Sequence, residues 1–199
     1  MTNQKPKAIL TPEFRLSFCN LFEPKPNMNG VIRFEMEMLF PKDRGGNQFQ
    51  EMMALYNETI ANANFSGNGP APRPFKDAII DGSSKKQEGR HGMFMIKANS
   101  GKDFPPRVLL PNRTLATPAD VYEGCWAKSI ISCYPYEARK DGKANAPIIS
   151  RGASFNMLTV WKQRDDEPFA TFMTEAEQDE LLNSAELPEG ADDLDEMLK

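Results

Sequence analysis

In the run CWAKSIISCYPYEA, alternate residues differ in kind. Trp126, Lys128, Ile130, Ser132, Tyr134 and Tyr136 share one parity, and Cys125, Ala127, Ser129, Ile131 and Cys133 share the other. The following loop, RKDGKANAP, adds Arg139, Lys140 and Lys143, and Arg151 closes it. Flat aromatic faces beside cations suit a single-stranded nucleic acid, whose unstacked bases need π surfaces and whose phosphates need Lys or Arg. Stacking is worth roughly 1–3 kcal/mol per base, and each neutralised phosphate adds a salt-dependent term. A second basic cluster, Lys97, Lys102 and Arg107, lies in IKANSGKDFPPR. Alternating aromatics on a strand more often serve packing, but here the small-residue parity has the better claim to an interior. Trp126, Tyr134 and Tyr136 are therefore expected to stack bases. Lys97, Lys102, Arg107, Lys128, Arg139, Lys140, Lys143 and Arg151 are expected to meet phosphates. Trp161, beside Lys162 and Arg164, reads as packing.

Reagents for catalysis are sparse. The lone histidine, His91, sits between glycines in a polar loop, where a solvated side chain is the ordinary outcome. Cys125 and Cys133 have no partner pair at zinc-ligand spacing. The segment GSSKK lacks the first glycine of a phosphate loop, and no Gly-x-Ser-x-Gly elbow occurs. No catalytic residue, metal or cofactor is expected. A nuclease that holds a metal on its carboxylates is the surviving enzymatic alternative.

The elements that must position these residues are mostly strands. FRLSFCNLF alternates, with Phe14, Leu16 and Phe18 on one face. After the turn signal EPKPNMNG, VIRFEMEMLF alternates with Ile32, Phe34, Met36, Met38 and Phe40 apolar, so the two runs predict a long hairpin. That apolar face reads as core, with a homodimer interface as the alternative. GNQFQEMMALYNETIANA changes period, and Phe49, Met52, Met53, Tyr56 and Ile60 predict an amphipathic helix. MFMIKAN and SFNMLTVWK predict further strands, and KDFPPRVLLP is too proline-rich for a central one. TPADVYEG predicts a short helix capped by Thr117. About five strands with one inserted helix point to a mainly β fold, a small barrel of the OB type in preference to a sandwich.

Charge divides the chain. Residues 174–199 hold ten Asp and Glu against one Lys, a net of −9, while residues 1–173 hold 23 Lys and Arg against 18 Asp and Glu, a net of +5. Residues 1–173 read as a folded binding domain. Residues 174–199 read as an acidic tail: a short helix from the Thr174–Glu177 capping box, then a segment too polar to order itself. Such a strip can compete with nucleic acid for a basic groove and dock to basic pockets on partner proteins. A plain solubilising tail is the alternative. Three cysteines do not make a disulfide framework. No run approaches the roughly 18 apolar residues of a membrane span, and no apolar signal stretch opens the chain. A reducing cytoplasm and no membrane partner are expected.

Four segments carry a resemblance: TPEFRLSFCNLFEP, FEMEMLFPKD, PADVYEGCWAKSIISCYPYE and GASFNMLTVWK. With the acidic C-terminus they span most of the chain. The chain resembles the single-stranded-DNA-binding proteins of tailed phages, related in plan to the podovirus replication protein. The resemblance implies an OB fold, sequence-independent binding of single-stranded DNA in phage replication and recombination, and a place in the cytoplasm of the infected bacterial host. It also implies a tail that contacts replication proteins. Many such tails end in an aromatic residue. Here the end is DEMLK, so Asp192, Asp193, Asp195 and Glu196 supply the charge, and Met197 and Leu198 stand where the apolar anchor would be. A strand-annealing or RNA-binding module on the same fold, and a structural or assembly protein, are the competing readings.

Overall fold

The computed structural model describes residues 7–27, 29–84 and 88–169. Among them are eight strands and one α-helix: β1 (Ala8–Leu10), β2 (Phe14–Pro26), β3 (Ile32–Pro41), α1 (Gln50–Ala61), β4 (Ile80–Asp81), β5 (Met93–Gly101), β6 (Arg107–Leu109), β7 (Trp126–Arg139) and β8 (Ile148–Arg164). The expected helix at Thr174, the acidic tail and Asp192, Asp193, Asp195, Glu196, Met197 and Leu198 lie outside the described residues.

Five strands form a closed cycle of pairings, β2–β3–β5–β8–β7–β2, and β1, β4 and β6 attach to it. Within the cycle, β5–β8 is parallel and the other pairs are antiparallel. β2 and β3 form the hairpin that their alternation predicts. β1 and β2 share one edge of β7: Leu10 lies opposite Ile130, and Phe14 opposite Ala127. Thr11 bridges the change of partner, since its N–H donates to the Ser129 carbonyl and its Oγ1 accepts from the Ser129 N–H, both at 2.9 Å.

The interior is lined by the apolar parity of each strand. Phe14, Leu16, Met36, Met38, Phe40, Ile96, Ala127, Ile131 and Phe155 are all buried there. α1 packs against β7, β8 and β1. Phe40, Phe49, Phe75 and Phe155 form a chain of ring contacts that Tyr56 joins at its far end. Each such side chain removed from water contributes roughly 1.5–3 kcal/mol. Phe49, Met52 and Tyr56 face inward as their spacing predicts, but Met53 is exposed and Leu55 is buried instead. The helix presents one stripe, and Met53 falls beyond its edge.

Two local expectations need correction. Residues 117–120 make one turn, not a helix: Thr117 N–H and Oγ1 both donate to Asp120 Oδ2 at 2.7 Å. Val121 then enters the core, and Gly124 takes φ +113° where a Cβ would lie 2.5 Å from the Glu167 carbonyl oxygen. Phe18 does not continue the buried series of Phe14 and Leu16. The β2–β3 register shifts between Ser17 and Asn20, and Phe18 stands 44% exposed at φ 44°. A bulge inserts an unpaired residue and turns its side chain to the other face.

Candidate nucleic-acid interface

Residues paired across a ladder share a face of the sheet. Asn20 lies opposite Glu35, Glu35 opposite Asn99, Asn99 opposite Asn156, and Asn156 opposite Ser132. A belt of polar side chains therefore crosses all five strands of the cycle. Tyr134, opposite Ser154 in the next row, is 38% exposed. Its hydroxyl donates to Asn99 Oδ1 at 2.9 Å, and Asn99 Nδ2 donates to Ser154 Oγ at 3.2 Å. These uncharged bonds fix the tyrosine's pose and leave ring surface open.

Two phenylalanines flank the belt. Phe18 lines a small groove with Glu35, Glu37, Lys97 and Asn99. Phe104, 74% exposed in the turn after β5, lines another with Asn156 and Leu158. A phenylalanine held at positive φ is a strained arrangement, costing of order 1–3 kcal/mol, and such strain concentrates at functional sites. Alternation gave no sign of Phe18, because it assigns that position to the core. Phe104 carried a signal, an aromatic between Asp103 and Pro105 in a proline-rich turn.

The expected site residues separate into groups. Tyr134 and Lys97 lie on or beside the belt, and Lys102 is exposed in the turn after β5. Lys97 is opposite Glu37, with its Nζ 3.0 Å from Glu37 Oε1. Arg107 is exposed opposite Thr159 at the edge, and Lys128 is half-buried opposite Trp161. Tyr136 is half-buried opposite Gly152, its hydroxyl 3.4 Å from Ser150 Oγ. Lys140 and Lys143 are exposed in the β7–β8 turn. Arg139 braces that turn by donating to the Ala146 carbonyl at 3.0 Å.

Trp126 and Arg151 are placed otherwise. Trp126 stands ten residues before Tyr136, about 30 Å along an extended strand, and is 8% exposed. Its Nε1 donates to Asp166 Oδ2 at 2.6 Å. Guanidinium groups of Arg164, Arg44 and Arg15 lie 4.2, 5.5 and 6.0 Å from its ring centroid. The indole hydrogen bond first, then the Glu167 N–H, hold the Asp166 carboxyl below its ordinary pKa. Arg151 clamps a loop: its guanidinium donates to the carbonyls of Ser66, Gly69 and Pro70 and stacks on Phe65. That loop is thereby fastened to the turn-proximal part of β8, where Arg151 lies opposite Glu137.

Nucleophile chemistry finds no support in the thiols. Burial pushes Cys19 up to about 12 and Cys133 up to about 11, so both remain protonated near neutrality. Among the described residues, no group of three or more His, Cys, Asp or Glu is arranged to hold a metal ion. No described helix is long and apolar enough to cross a membrane.

Comparison with known proteins gives the relationship. No curated protein sequence matches the chain. The single-stranded DNA-binding protein from bacteriophage Enc34, solved in complex with ssDNA, is similar at 25% identity over 82% of this chain and 89% of that one, with a TM-score of 0.65. A second structure of the Enc34 protein is similar at 24% identity over 87% and 89%, with a TM-score of 0.63. The single-stranded DNA-binding protein gp2.5 encoded by bacteriophage T7 aligns at 14% identity over 94% and 98%, with a TM-score of 0.48. The family model described as Enterobacter phage Enc34, ssDNA-binding protein, matches residues 7–186. That span takes in every strand of the closed cycle, and the chain belongs to the Enc34 phage ssDNA-binding protein family.

Proposed function

We propose that this protein binds single-stranded DNA without sequence preference, protecting and organising it during phage replication and recombination. The observation that carries this reading is the trio of exposed aromatics, Phe18, Tyr134 and Phe104, around one polar belt. Three π faces on one surface give successive bases places to stack, and stacking tolerates any base. The cyclic order β2–β3–β5–β8–β7 supports an OB-type barrel. In that fold, the face of the second and third strands, with the first and fourth inter-strand loops, takes oligonucleotides. Here those parts are β3, β5 and the basic β7–β8 turn. Lys102, Lys140 and Lys143 meet phosphates, and Lys97 holds Glu37 at the edge of the groove. Tyr136 extends the stacking row from its half-buried position, and Arg107 and Lys128 line the edges.

The acidic C-terminus modulates this binding and docks replication proteins through Asp192, Asp193, Asp195, Glu196, Met197 and Leu198. Its net charge of −9 supports that role, since it complements a body of net +5.

Fluorescence anisotropy with a labelled oligo-dT, over a salt series and with duplex as control, tests the reading. Single strands are expected to bind better than duplex. Phe18→Ala with Tyr134→Ala is expected to weaken binding by roughly 2–6 kcal/mol if the two stack independently. Unchanged affinity in that double variant overturns the site. Neutralising the last four acids to amides is expected to tighten binding most at low salt.

A further inference from the structure

A face that attracts phosphates by charge alone would keep its cations free. The middle of this interface does the opposite. On β3, Glu35 and Glu37 point to the same side as Asn99 and Lys97, their ladder partners. Arg33 is paired to Glu35. Arg90 Nη2 lies 3.0 Å from Glu37 Oε2, and Lys97 Nζ lies 3.0 Å from Glu37 Oε1. The Glu37 side chain is only 7% exposed and that of Glu35 17%, whereas Lys97 is 58% exposed. Glu37 Oε2 has no aligned hydrogen-bond donor among the described residues, although Arg90 is in charge contact. Burying a carboxylate against cations is at best a weak gain in stability, so stability does not account for this arrangement.

The placement does account for it. Both carboxylates line the groove that Phe18 borders. A base stacked on Phe18 presents an edge there, and every base edge carries a donor, an exocyclic amine or, in thymine, the ring N3–H, that a carboxylate accepts. A phosphate brought to the same spot meets like charge on the carboxylates and finds Arg33, Arg90 and Lys97 already engaged by them. A single strand can turn its bases inward and its phosphates outward. A duplex cannot, because its bases are paired and its phosphates form its outer surface. Discrimination often rests on such a repulsive element.

We propose that Glu35 and Glu37 are specificity-determining residues that admit bases, turn phosphates away and so exclude duplex DNA from this face. The proposal rests on the single-strand-binding reading above. The test uses the full chain and measures anisotropy with a labelled oligo-dT and a labelled blunt duplex of mixed sequence. Glu35→Gln is expected to lower the single-strand to duplex affinity ratio about tenfold, chiefly by gain of duplex binding. Its duplex salt slope is expected to steepen by about 0.9, as Arg33 becomes free to meet one phosphate. Glu35→Asp is expected to restore discrimination. Glu37→Gln combined with Arg90→Gln removes the buried charge in balance and is expected to act in the same direction. A melting curve checks its fold, and if it does not fold, Glu35→Gln decides alone.

An equal gain for both DNA forms overturns the proposal, because the carboxylates then only dilute positive charge. An unchanged ratio in folded Glu35→Gln overturns it too. If the unmodified chain fails to bind the single strand, the function reading falls and the proposal falls with it. If it binds the single strand and the ratio stays put, only the proposal falls.

Discussion

The two ends of β7 carry the same residue types and use them differently. At the start, Trp126 lies among Arg15, Arg44 and Arg164, with Asp166 on its indole nitrogen and Glu13 paired to Arg44 and Arg164. Eight residues on, Tyr134 donates to the uncharged side chain of Asn99 and keeps an open ring. Aromatic residues beside cations read alike in both places. The difference is what occupies the ring. A guanidinium 4.2 Å from the indole centroid already takes the face that a base would need, and carboxylates already take the guanidinium groups. The Trp126 end is a structural knot that ties β2, β7 and the chain beyond β8 together. The Tyr134 region keeps its surfaces available.

Single substitutions should separate the two sharply. Trp126→Ala is expected to cost about 3–5 kcal/mol of stability, read as a fall in melting temperature, with little change in DNA affinity at temperatures where the variant stays folded. Tyr134→Ala is expected to do the reverse, weakening DNA binding by roughly 1–3 kcal/mol with a small change in melting. If both variants lose DNA affinity equally while folded, the distinction fails.

Phe18 offers a second separation. Phe18→Gly relieves a left-handed residue, a strain of roughly 1–2 kcal/mol, and removes a stacking surface. Denaturant titration is expected to show unchanged or higher stability while anisotropy shows weaker binding. Opposite signs in one variant would distinguish a site residue from a packing one.

Smaller effects sharpen the same contrast. Arg151→Ala is expected to release the loop it clamps, seen as faster proteolytic nicking between residues 65 and 72, with DNA affinity nearly unchanged. Acid should loosen the Trp126 end. The folded pKa values of Asp165 and Asp166 are lowered, the first chiefly by the Lys162 hydrogen bond and the second chiefly by the indole. Their contribution is therefore present above the ordinary carboxylate range of about 4 and lost as pH falls through the lowered values. Melting temperature is expected to drop over that interval, and Asp166→Asn should flatten part of the drop. Least of all, Lys140→Ala with Lys143→Ala is expected to reduce the single-strand salt slope by about 0.7 for each phosphate that a lysine no longer neutralises.

Alternation along FRLSFCNLF, VIRFEMEMLF and CWAKSIISCYPYEA determined the strands, and the shift to helical spacing after Gly46 determined α1, because burying one apolar face demands those periods. The family was legible in four segments of the chain. The short pieces β1 and β4 were not, since three residues and two hold no period, and their pairing depends on longer strands already in place. The proposed site was half legible. Tyr134, Lys97 and Lys102 stood out by type, and Phe104 by its turn. Only the tertiary structure decided that Phe18 faces outward, because one bulge reverses which side a residue takes and leaves no mark on composition. Only it decided that Trp126 and Arg151 already have partners, for whether an aromatic face or a guanidinium is free depends on residues distant in sequence: Asp166 and Arg44 for the one, Ser66 to Pro70 for the other.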